Sequence, residues 1–134
     1  MFPEKYPNFR QHESQDCGPT CFRILLKYYR VNAPLTYIKN QFAVRADGVS
    51  LKQMKVAGEK LKFDTAVLTA SIDDLRNLDR PVIVYFTRGH FVVLFKVNSN
   101  TAIISDPAHG VVNLSIQEFK AQFYDNSSTG VIVS

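Results

Sequence analysis

Four short apolar segments, residues 82–86, 91–97, 101–105 and 111–114, lie so close together that they constrain the fold more than any other feature of the chain. Each is rich in β-branched and aromatic side chains, which suit a pleated, half-buried surface. Turn-forming residues separate them at Thr87-Arg88-Gly89, Asn98-Ser99-Asn100 and Pro107-Ala108-His109-Gly110. Connections this short make an antiparallel meander the natural reading. Residues 131–133 supply a further apolar segment that can close the sheet as an edge strand, and residues 63–68 alternate enough to form another short strand.

Helical patterns dominate the first half of the chain. Pro19 stands where a first helical residue fits, and Cys21, Ile24, Leu25, Tyr28 and Tyr29 follow at the spacing of an inward-facing stripe. Arg23, Lys27 and Arg30 fall on the opposite side, and four residues back from Cys21 the inward face reaches Cys17. A second helix is expected over 35–42. A third starts after Ser50, which with Gln53 forms a capping box, and ends near Leu61. Similar boxes, Ser71 with Asp74 and Ser115 with Glu118, open helices running to about Leu78, ahead of Pro81, and to about Tyr124. Helices first and strands later give the α+β class.

At 134 residues, with 46% apolar and 21% charged residues, the chain is sized and composed for one globular domain, residues 1–134. No apolar run approaches the roughly 20 residues needed to span a bilayer, and the N-terminus lacks the apolar stretch of a signal peptide. These features point to a cytoplasmic chain. The net charge of +4 is spread out, with its densest clusters, Arg23, Lys27, Arg30 and Lys52, Lys55, Lys60, Lys62, on helix faces that solvent accounts for. No zinc-finger spacing, RNP-like segment or phosphate loop is present, so no nucleic-acid partner is expected.

The two cysteines, Cys17 and Cys21, are four residues apart on one helix, too close in fold space for a useful staple and unaccompanied by a zinc-ligand pair. Cys21, one turn inside the helix, reads as core. Cys17, in Asp16-Cys17-Gly18-Pro19, lies at the helix start, where free N–H groups and the positive end of the dipole favour a thiolate; packing as a small hydrophobe is the competing reading. Gly18 is expected to keep the approach to the sulfur clear. Of three candidate bases, His12 reads as a solvated surface residue and His109 as a turn residue. His90 begins a long apolar strand, a costly position for a titratable ring unless its nitrogens are paired or used.

A carboxylate for His90 follows from register. With Asn98-Ser99-Asn100 as a three-residue loop, Val97 pairs with Thr101, Val92 comes opposite Asp106, and Asp106 becomes the diagonal neighbour of His90 on one face. A two-residue loop would set the two on opposite faces. Cysteine at a helix start, histidine at a strand start and a carboxylate at the end of the next strand reproduce the element order of papain-like cysteine peptidases.

Gln11 precedes Cys17 by six residues, giving Q-x4-D-C-G, and Cys21 completes C-G-x-x-C; G-H-F-V-V and D-P follow at residues 89–93 and 106–107. In these motifs the chain resembles the bacteriocin-processing cysteine peptidases, the double-glycine leader peptidase domain of peptidase-containing ABC transporters. The resemblance implies a papain-like fold, with N-terminal helices packed on a C-terminal antiparallel sheet. It further implies Cys17 as nucleophile, His90 as general base and acid, Asp106 as the group that orients His90, and Gln11 as oxyanion donor, with Gln15 the competing donor.

The implied activity is cleavage of a leader peptide after a Gly-Gly-type site, maturing a bacteriocin-like or signalling peptide for export. The leader would bind as an amphipathic helix on an apolar groove. The implied partners are that leader peptide and the transmembrane and ATP-binding domains of an ABC transporter, of which this would be the N-terminal part on the cytoplasmic side of the bacterial inner membrane. The mechanism needs no metal or organic cofactor. A non-catalytic leader-docking module is the alternative, and amide transfer or cell-wall peptide hydrolysis on the same triad is a third reading.

Overall fold

The computed structural model describes residues 5–42 and 49–134; the expected domain of residues 1–134 also includes positions 1–4 and 43–48, which lie outside the described residues. A 3-10 turn, Ser14–Asp16, leads directly into α1, Cys17–Tyr28, followed by α2, Leu35–Lys39, and α3, Leu51–Lys60. β1, Val67–Ala70, and α4, Ile72–Arg76, precede the meander of β2, Val82–Phe86, β3, His90–Val97, β4, Thr101–Asp106, and β5, Gly110–Ser115. The chain finishes with α5, Ile116–Phe123, and β6, Gly130–Val133. The six strands form one sheet in the order β1-β6-β2-β3-β4-β5, with every pairing antiparallel. The α+β class and the meander are therefore present, and no helix among the described residues is long and apolar enough to cross a membrane.

Strand alternation distributes the core over both faces of the sheet. Val82, Val84, Phe86, Val92, Leu94 and Ile104 pack with Phe119 and Phe123 of α5 and with Ile72 and Leu75 of α4. Ile83, Phe91, Val93 and Val133 pack on the other face with Cys21, Phe22, Ile24 and Leu25 of α1, Ile38 of α2 and Met54 of α3. Capping boxes start α3, α4 and α5 at Ser50, Ser71 and Ser115, as their S-x-x-Q/D/E patterns require.

Several expectations are corrected. α1 begins at Cys17 rather than Pro19; a proline is tolerated inside the first turn because its missing N–H has no intrahelical acceptor there. The inward stripe of α1 holds at Cys21, Ile24 and Leu25, but Tyr28 and Tyr29 are exposed, stacked edge to face on each other. α2 ends at Lys39, beyond which Gln41 and Phe42 take short-range bonds to Ile38 and Lys39. β1 starts four residues later than expected because Lys62, at φ 73°, and the Phe63 N–H bond to Gly58 O close α3 in a left-handed cap and commit Phe63 to the helix side. α4 stops at Arg76. β6 is not an edge strand: Val133 pairs with Val67 on one side and Ile83 on the other. Its residues serve both cores, Ile132 on one face and Val133 on the other, which suits an interior strand.

The β3–β4 hairpin differs most instructively. Asn98 N–H donates to Thr101 O at 2.7 Å, so Ser99 and Asn100 alone form the tip, and Val97 pairs with Ala102 rather than Thr101. By itself this two-residue turn would separate His90 from Asp106. A β-bulge between Leu94 and Lys96 takes Phe95 out of the ladder, restoring Leu94 opposite Ile104 and Val93 opposite Ser105. Phe95 is held out by aromatic contacts with Tyr6 and Tyr28, ring centroids 5.2 and 5.7 Å away.

Candidate active site

The ends of α1, β3 and β4 meet at one place. Cys17 is the first residue of α1 and is buried; His90 is the first residue of β3, reached through a three-residue turn whose Gly89 adopts φ 87°; Asp106 is the last residue of β4. His90 Nε2 lies 2.6 Å from Asp106 Oδ1, and Cys17 is near enough to the His90 ring and to the Phe91 amide for both to bear on the ionisation of its thiol. With Nε2 turned to Asp106, Nδ1 is the ring nitrogen left to face sulfur.

The electrostatics follow from these contacts. Burial opposes ionisation of Cys17, but the hydrogen bonds from His90 and the Phe91 amide, with the His90 charge, outweigh it and hold the thiol below its ordinary range. Burial likewise disfavours the imidazolium, yet the Asp106 carboxylate and the Cys17 sulfur raise His90 to about 9. Asp106, despite burial, is brought down to about 2 by His90, the Ala108 amide and His109. The opposite shifts favour moving the proton from Cys17 to His90, in the direction of a thiolate–imidazolium pair backed by a carboxylate. Cys21 differs: burial, with Cys17 and Asp106 nearby, pushes its thiol well above the ordinary value.

Gln11 is close to this cluster through its backbone, whose N–H donates to Pro107 O at 2.8 Å. Its side-chain amide is turned to Glu13 O at 3.0 Å and, more weakly, to Ser14 O at 3.4 Å, while its Oε1 is buried without a partner. The competing Gln15 amide is engaged by Glu13 Oε2 at 2.5 Å. A Cβ at Gly18 would lie 2.8 Å from Met54 Sδ, so the glycine also permits close packing of α3 on the first turn of α1.

Sequence reasoning missed the residues that brace the site. Asp16 is fully buried, its Oδ1 3.0 Å from Lys39 Nζ of α2 and its Oδ2 accepting the Glu13 N–H, so it ties the start of α1 to a neighbouring helix. Asn8 Nδ2 donates to Ser105 Oγ and Asp106 O, Ser105 Oγ donates to Pro7 O, and Arg10 Nη1 donates to Ala108 O. His109 lies 3.1 Å from Asp106 Oδ2. Only its position three residues after Asp106 hinted at that.

The arrangement matches what the chain is similar to. The family model described as "Peptidase C39 family" matches residues 5–129. This chain belongs to the peptidase C39 family. As a C39 domain it is a cysteine peptidase by family, and its curated relatives include the colicin V secretion/processing ATP-binding protein of Escherichia coli, 31% identical over 119 residues that make up 89% of this chain and 17% of the relative. The lactococcin-G-processing and transport ATP-binding protein of Lactococcus lactis subsp. lactis is 29% identical over 129 residues, 92% of this chain and 18% of the relative. The C39 chain thus spans less than a fifth of the length of these relatives.

Among solved structures, a double glycine motif protease from an AMS/PCAT transporter in complex with the leader peptide superposes with TM-score 0.84 at 26% identity, covering 95% of this chain and 88% of that one. The peptidase domain of Streptococcus ComA, a bifunctional ABC transporter of a quorum-sensing pathway, gives TM-score 0.84 at 26% identity over 96% of both chains. The papain-like C39 fold expected from the motifs is the fold of the molecule.

Proposed function

We propose that this domain cleaves the leader from a precursor peptide after a Gly-Gly-type site, with Cys17 as nucleophile, His90 as acid and base, and Asp106 as the residue that orients and charges His90. The observation that carries the reading is the convergence of Cys17 on a His90 ring held by the Asp106 carboxylate at 2.6 Å, with Cys17 and His90 each shifting the other's ionisation. The Cys17 thiolate attacks the scissile carbonyl, and the His90 Nδ1 proton passes to the departing amine, leaving a thioester. A water then gives its proton to His90 and attacks the thioester, which releases the leader and returns the thiol.

Gln11 supplies the side-chain donor for the oxyanion, its weak bond to Ser14 O being the one exchanged, and the Cys17 backbone N–H supplies a second. A glycine pair suits a groove narrowed by bulky aromatic residues, since its backbone brings no side chains. The leader binds as an amphipathic helix on an apolar surface. In the cell the domain is the N-terminal part of an ABC exporter on the cytoplasmic side of the membrane; its match to less than a fifth of each transporter relative supports its being one part of a larger exporter.

The test is cleavage of a synthetic leader peptide bearing a Gly-Gly site, followed by mass spectrometry, with wild type, Cys17→Ala and Cys21→Ala. One cut after the glycine pair, lost in Cys17→Ala and kept in Cys21→Ala, is expected. Binding without any cut in wild type would overturn the peptidase reading in favour of a docking module.

A further inference from the structure

The carboxylate of Asp106 is the fixed point of the site, and its two oxygens are held differently. Oδ1 accepts from His90 Nε2 at 2.6 Å and from the Ala108 N–H at 2.8 Å. Oδ2 is met by His109 Nδ1 at 3.1 Å. The Asp106 side chain is only 6% exposed and the His109 ring is 66% exposed, so His109 stands between the buried carboxylate and solvent. An ionised carboxylate can only accept, so Nδ1 of His109 must carry its hydrogen, and it does so in the neutral Nδ1–H tautomer and in the cation alike. The turn that presents the ring is fixed from outside by Arg10 Nη1 on Ala108 O and by the Gln11 N–H on Pro107 O. Arg10 also approaches Gly110, where a Cβ would lie 3.2 Å from its Nη2.

We propose that His109 is a positioning residue of the active site, whose Nδ1–H on Oδ2 fixes the plane of the Asp106 carboxylate so that Oδ1 stays aimed at His90. This rests on the triad reading above. The terminal torsion of an aspartate is soft and broadly two-fold, so a carboxylate held on one oxygen alone swings readily. Holding the second oxygen makes that swing cost a charge-assisted hydrogen bond. With the plane fixed, the bond to His90 stays short and straight, the imidazolium stays stabilised, and so does the thiolate it faces.

The experiment compares wild type with His109→Asn, His109→Phe and His109→Gln. An asparagine amide nitrogen sits where Nδ1 of histidine sits and always carries hydrogen; glutamine places its amide one atom farther, and phenylalanine keeps the ring without a donor. Alkylation of Cys17 by iodoacetamide is followed against pH, with Cys17→Ala as the blank. On the acid limb the rate tracks the thiolate fraction, and we expect His109→Phe to react about fivefold more slowly there, a part-buried charge-assisted hydrogen bond from an exposed ring being worth about 1 kcal/mol. Cleavage of the Gly-Gly leader peptide should show kcat lowered about fivefold with KM unchanged. His109→Asn should restore both to within about twofold, and His109→Gln should not. Wild-type alkylation in His109→Phe, or equal impairment of the Asn and Phe variants, overturns the proposal. If wild type cuts no leader peptide, the proposed function fails while the alkylation profile still decides the role of His109.

Discussion

Replacing Asp106 by asparagine removes one charge and almost nothing else. The amide carbonyl can still accept from His90 Nε2 and the Ala108 N–H, and its NH2 group can meet His109 once that exposed ring shifts its hydrogen to Nε2. What is lost is the anion that, with the Cys17 sulfur, carries His90 from 6.5 to about 9 against the opposing effect of burial. At about 1.4 kcal/mol per pH unit that rise, net of burial, corresponds to about 3 kcal/mol in favour of the imidazolium. Cys17 supplies part of it and water at the mouth of the site screens part, so about one pH unit is assigned to the Asp106 charge.

The sign is fixed by the direction of the shift. The imidazolium, raised above its ordinary value, is present below about 9 and lost as pH rises through it. In Asp106→Asn the alkaline limb of kcat/KM should therefore fall to about 8, and the weakened imidazolium should move the thiolate limb upward, narrowing the active window from both sides. The assay is leader cleavage across pH, paired with the alkylation profile of Cys17. An alkaline limb that stays within about 0.3 pH units of wild type in a folded variant would refute the assignment of His90's charge to Asp106.

Three other perturbations test the frame that carries the site. Gly130→Ala would drive a Cβ into the Phe123 carbonyl and to 2.7 Å from its ring, so thermal denaturation should show a loss of about 2–4 kcal/mol. Lys39→Met leaves the buried Asp16 carboxylate without its cation, and urea unfolding should show about 2 kcal/mol lost, less than for a fully buried pair because Lys39 is partly exposed. Deletion of Phe95 removes only the extra residue of the bulge and leaves Leu94 opposite Ile104 and Lys96 opposite Ile103, so the His90–Asp106 register and leader cleavage should survive despite the lost ring contacts with Tyr6 and Tyr28; loss of cleavage in a folded deletion variant would refute the register argument.

The parts of this molecule that were legible from the chain are those set by neighbours in sequence. Ser50, Ser71 and Ser115 announce their helices because each cap and its N3 partner are only three residues apart. β2 falls at Val82–Phe86 as its apolar run dictates, and β3 through β5 differ from expectation by a residue at their ends. The site cluster of Cys17, His90 and Asp106 was legible too, but partly through a hairpin argument that failed in detail: the turn is one residue shorter, and a bulge one residue long makes good the difference. Nothing in the local sequence marks Phe95 as the residue to be expelled. Its partners, Tyr6 and Tyr28, are far away along the chain.

The same division runs through the rest. Sequence alone determined the α+β class, the order of elements, the chemistry available at Cys17, His90 and Asp106, and the family resemblance, because residue identity and short-range periodicity carry that information. Tertiary structure alone decided that β6 lies inside the sheet, that Gly18 admits Met54, that Asp16 is neutralised by Lys39, and that His109 occupies the second oxygen of Asp106. Each of these depends on which distant surfaces come within a few ångströms, and that is set by packing of the whole core rather than by any segment of it.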